Sequence, residues 1–106
     1  MSLEADPQHP VLDRPWEYTI VGFNYQGDEG EPFLELSLRR GDDFRRLRFL
    51  SPRDIKLDAF FAAGPSGIAI LDVSARQMEG VRVWVCDDVT GHDCLLTFWA
   101  REVLAQ

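Results

Sequence analysis

Two runs of alternating apolar and polar residues, 33–40 and 44–50, are separated by little more than Gly41-Asp42. Glycine at the first central position suits a two-residue turn whose backbone twist matches that of antiparallel strands. The spacing predicts a tight hairpin with a fixed register. Leu38 then lies opposite Arg45, Leu36 opposite Leu47 and Leu34 opposite Phe49, which gathers the apolar side chains on one face. Glu35 and Arg48 pair on the other face. This part of the chain is committed to a half-buried antiparallel sheet.

The same patterning extends to both sides. Residues 16–25 read as a first strand, 68–73 as a short, fully buried one, and 74–80 as a loop or single turn. A last hairpin is expected from 81–87 and 92–104, reversing at Asp88-Val89-Thr90-Gly91, with Val85 opposite Cys94, Val83 opposite Leu96 and Val81 opposite Phe98. Ser51-Pro52-Arg53-Asp54 has the residues of a helix start and Gly64-Pro65 those of a stop, so one helix is expected at about 52–63. A strand in place of its first half is the alternative. Residues 1–15 hold Pro7, Pro10 and Pro15 among polar residues and are expected to form a flexible tail, leaving 16–106 as a single β-rich domain. With 106 residues, 45% of them hydrophobic, the chain suffices for one core. The expected fold is mainly β (α+β), with about six largely antiparallel strands in a curved sheet, sandwich or partly open barrel.

Charge narrows the partners. The net charge of -7 opposes nucleic-acid binding, which normally needs a positive footprint. No apolar run approaches the roughly 20 residues needed to span a bilayer. The first residues lack the basic and apolar regions of a secretory leader, so a cytoplasmic location is expected. Yet the charge is uneven. Residues 39–56 hold seven basic and three acidic side chains, a local balance of +4 that leaves -11 for the rest. Arg39, Arg46 and Arg48 mark a basic hairpin suited either to an acidic partner or to a solvated, aggregation-resistant sheet.

Catalytic and metal signatures are weak. Cys86 and Cys94 are the only cysteines, and the expected register puts them on opposite faces, too badly placed for a disulfide. Paired metal-ligand spacings are missing, so neither a metal nor a cofactor is expected. Cys86 with His92 and Asp93 at the hairpin end forms the one arrangement open to thiol or hydrolytic chemistry or to a small ligand, but no orienting partner or oxyanion donor can be named. No catalytic residue is assigned.

The back of the last hairpin carries Trp84, Leu95 and Trp99 with Arg82, Thr97 and Arg101, opposite the Val81/Val83/Val85 face. Such an aromatic and arginine face is either covered by the rest of the fold or kept for a protein partner. The function expected from sequence is a non-enzymatic, cytoplasmic module acting through protein contacts, with another protein or as a homodimer. Trp84, Leu95 and Trp99 are its apolar anchors, with Arg82 and Arg101 at the rim.

Overall fold

A computed structural model of the chain describes residues 6–27, 30–57, 67–87 and 95–106. The architecture is mainly β, with eight strands among the described residues, in two four-stranded antiparallel sheets. The first sheet is built from β1 (Thr19–Gln26), β2 (Phe33–Arg40), β3 (Asp43–Leu50) and β8 (Glu102–Ala105), in that order. The second contains β4 (Arg53–Leu57), β7 (Leu96–Ala100), β6 (Val83–Cys86) and β5 (Ala69–Asp72), in the order β4-β7-β6-β5. The count exceeds the six strands expected because two long strands bend and change sheet.

The β2–β3 hairpin has the register its turn dictates: Leu38 opposes Arg45, Leu36 opposes Leu47, Leu34 opposes Phe49 and Glu35 opposes Arg48. Gly41 has a φ of 60°, a left-handed conformation that glycine adopts without a Cβ penalty. Leu34, Leu36, Leu38, Leu47 and Phe49 face inward and are buried. They meet Ile70, Val83, Val85, Leu96 and Phe98 of the second sheet in one cluster, and Phe49 meets Phe98 edge-to-face at 5.0 Å.

The helix expected at about 52–63 is corrected over its first half, since Arg53–Leu57 is β4, paired with β7; residues 58–63 lie outside the described residues. Ser51 takes a left-handed φ of 49° rather than the extended conformation of a helix cap. Leu50 opposes Glu102 on one side of the bend and Arg53 opposes Trp99 on the other, so one ladder register runs through the corner. β3–β4 and β7–β8 are thus two strands that turn together from one sheet into the other, at 51–52 and at Arg101. Pairing along the whole ladder outweighs the local helix-start signal.

Residues 7–9, read from sequence as part of a flexible tail, lie along the outer edge of β5. The Asp72 N–H donates to the Pro7 carbonyl and the His9 N–H to the Ile70 carbonyl, both at 2.9 Å. Leu12 joins the main core. Pro15–Glu17 forms a 3-10 turn, and the first strand consequently starts at Thr19. No helix among the described residues is long and apolar enough to cross a membrane.

Candidate functional site

The last hairpin slides by four residues from its expected register: Val85 opposes Phe98 and Val83 opposes Ala100. A shift of an even number keeps the residues of the two strands on their expected faces, but Val81, which precedes β6 and is expected from sequence beside Val83 and Val85, packs on the tryptophan side instead. Trp84 and Trp99 are accordingly direct neighbours on one face, with ring centroids 6.1 Å apart. That face is well furnished by the chain itself. Leu71, Val73 and Val81 are buried beneath the two half-buried indoles. The Arg76 guanidinium stands 5.7 Å from the Trp99 ring and is itself paired with the buried Asp6 carboxylate. The N-terminal segment and the 74–76 turn together therefore lock one side of the tryptophan pair.

The other residues expected on this face are dispersed. Leu95 is half-buried just before β7, and its N–H donates to Asp87 Oδ1 at 2.7 Å. Arg82 is exposed, beside a cavity of about 420 Å³ that also reaches Met78, Arg101 and Glu102. Arg101 is turned to Glu31: its Nε and Nη2 donate at 2.7 and 2.8 Å, and Ser51 donates to the same carboxylate at 2.6 Å. The bonds from Arg101 and Ser51 hold the Glu31 carboxyl below its ordinary pKa. Arg101 is thus a corner clamp rather than a free rim cation.

The cysteine expectation is overturned. Cys86 is fully buried and disulfide-bonded, and the chain's one other cysteine, Cys94, lies outside the described residues. The alternation that set the thiols on opposite faces is established only from Leu96, where β7 begins. A disulfide sulfur is no nucleophile, which removes the activated thiol from the hairpin-end arrangement. His92 and Asp93 lie outside the described residues. Asp87, next to Cys86, is buried and accepts the Leu95 and Leu96 N–H groups at 2.7 and 3.0 Å, a structural engagement of its Oδ1.

The basic hairpin has a distinct outer face. Arg39, Arg46 and Arg48 share it with Glu35, which lies 3.2 Å from Arg48 and 3.7 Å from Arg46, and Glu102 of β8 stands on the same side of the sheet, opposite Leu50. Arg48 also stacks 4.0 Å above the Phe33 ring. Arg39 makes no ion pair among the described residues, and 62% of the Arg46 side chain is exposed. Arg40 and Arg45, by contrast, are held at the turn, Arg40 by Glu17 at 2.8 Å and Arg45 by Asp43 at 3.0 Å. The buried Tyr18 hydroxyl donates to Asp43 at 2.7 Å and, together with Arg45, keeps that carboxyl below its ordinary pKa. Three cations against Glu35 and Glu102 leave the described part of this face positive on a negative protein.

Apolar groups accompany that charge. Phe44 is 66% exposed and Val21, set out by an irregularity in β1, is 49% exposed. Between them lies a shallow depression of about 370 Å³, lined also by Ser37, Arg45, Arg46 and Gln106. The small Ser37 lines its floor and packs closely on Gly22, where a Cβ would stand only 3.0 Å from the Ser37 Cβ. Sequence reading named the arginines and missed Val21, Ser37 and Phe44. The alternation itself places Phe44 on the Arg46/Arg48 face, but the position of Val21 depends on a strand irregularity with no local signature. Comparison with protein-family models, with curated proteins and with solved structures returns no match for this chain.

Proposed function

We propose that the protein is a non-enzymatic binding module that receives another protein on the outer face of the β1-β2-β3-β8 sheet. The observation that carries this reading is the exposed Phe44, facing Val21 across a depression bordered by the under-neutralised Arg46. Exposed aromatic and aliphatic groups beside arginine have the make-up of an interface centre, where apolar anchors supply affinity and cations supply orientation and encounter rate. The tryptophan face is a weaker candidate because Leu71, Val73, Val81 and Arg76 already pack on it. A two-fold dimer through the outer face would set Arg39, Arg46 and Arg48 of one copy against those of the other, so a different protein is the preferred partner over a second copy.

Selection of a random displayed-peptide library on the full chain, counter-screened with Phe44→Glu and Arg46→Glu, tests this reading. It expects enriched peptides that lose binding to both variants. Enrichment only of peptides that bind the variants equally well contradicts it.

A further inference from the structure

Resting on the binding-module reading, we infer that the occupant of the Val21/Phe44 depression is an acidic protein segment carrying one large apolar side chain. That side chain would lie over Ser37 between Val21 and Phe44, with carboxylates to either side meeting Arg46 and Arg39. Three features select this chemistry. Ser37, a small residue, lines the floor between the two walls, so an inserted side chain meets no bulky group there. Its walls are one aliphatic and one aromatic group, both exposed, which favours an apolar insert. Its border carries Arg46, which shares Glu35 with Arg48, and the same face carries Arg39, in no ion pair among the described residues.

The charge of the whole chain sharpens the selection. With a net charge of -7, the chain as a whole repels acidic partners, so a locally positive face gives an acidic segment its docking position as well as its contacts. A second copy is disfavoured by arginine facing arginine. Single-stranded nucleic acid is disfavoured because Phe44 is the sole aromatic residue lining the depression among the described residues, whereas strand binding uses a series of stacking platforms in a basic groove.

The test uses the full chain and four labelled probes, followed by fluorescence anisotropy at low and moderate salt. They are a peptide with a central leucine flanked by glutamates, the same peptide with glutamines, the same with lysines, and a short oligothymidylate. The acidic peptide is expected to bind about tenfold or more tighter than its glutamine form, an effect of the size of one surface charge contact or two, and to weaken with salt. Phe44→Ala should remove binding of the acidic peptide, and Arg46→Glu should transfer preference to the lysine peptide. If the glutamine or lysine peptide binds the unaltered protein as tightly and still requires Phe44, the acidic class is overturned while the docking face stands. If no peptide depends on Phe44, the docking face itself is overturned. Oligothymidylate binding that requires Phe44 and Arg46 would replace the protein segment by nucleic acid.

Discussion

Arg101 grips Glu31 through two parallel hydrogen bonds of 2.7 and 2.8 Å, 70 residues apart in sequence, at the point where β7 passes into β8. Ser51, at the matching bend between β3 and β4, donates to the same carboxylate. One acidic side chain from the loop before β2 thereby joins both strands at the corner where they change sheet. Bidentate geometry gives such a pair directional value beyond its exposed Coulomb attraction.

The sign of the pH dependence follows. Arg101 and Ser51 lower the Glu31 pKa in the folded state, so its contribution is complete above the ordinary carboxylate value of 4.5 and is lost as pH falls through the lower folded value. Glu31→Gln should lower the urea midpoint at neutral pH and make no difference in strong acid, where the carboxyl is protonated in both states. Equal midpoints at neutral pH would show that the clamp contributes nothing.

The N-terminal segment offers a second check. Asp6 is nearly buried in its pair with Arg76, and breaking a largely buried pair leaves the remaining charge without its partner. Asp6→Ala is expected to cost about 1–3 kcal/mol in urea unfolding. Tryptophan fluorescence should change with it, because Arg76 stands over Trp99. His9 lies in the same segment, and its burial lowers its pKa. Its share of stability is therefore present above its ordinary 6.5 and declines as pH falls below that value. Faster amide exchange at His9 near pH 5 than the intrinsic pH trend allows is the corresponding signal.

How much of this was legible beforehand depends on where the information resides. The β2–β3 register could be read residue by residue, since a two-residue turn leaves one pairing that buries Leu34, Leu36, Leu38, Leu47 and Phe49 together. The β6–β7 faces were legible but their register was not, because alternation fixes side-chain parity while the length of the reversal fixes alignment. Ser51-Pro52 carried a genuine helix-start pattern, overridden by a ladder formed with residues almost 50 positions away, from Arg53 to Trp99. Residues 7–9 contain little that marks them as strand-like; their docking is set by the free edge of β5. Of the candidate site, the arginines and their face were visible, whereas the hollow needed the displaced Val21.

Core and surface phenylalanines should behave oppositely. Phe98→Ala removes a fully buried ring packed on Phe49 across the two sheets, and is expected to cost about 3–5 kcal/mol. Phe44→Ala, at an exposed position, should stay within about 0.5 kcal/mol of the unaltered protein in the same urea titration. A large loss from Phe44→Ala would make that ring structural.

The disulfide at Cys86 should be measurable as stability. Reduction with dithiothreitol is expected to lower the unfolding free energy by about 2–4 kcal/mol, the usual range for a native bridge, with Cys86→Ala giving a similar loss. Unchanged unfolding after verified reduction would contradict a stabilising role.

The central claim, that the outer face around Phe44 is the docking surface, is tested most directly by mapping amide and indole NMR shifts of the full chain as the acidic leucine peptide is added. Perturbations should concentrate at Val21, Ser37, Phe44 and Arg46 and leave the Trp84 and Trp99 indole signals in place. Shifts centred on Trp84 and Trp99, with the Phe44 region unmoved, would contradict it and assign binding to the tryptophan face of the second sheet.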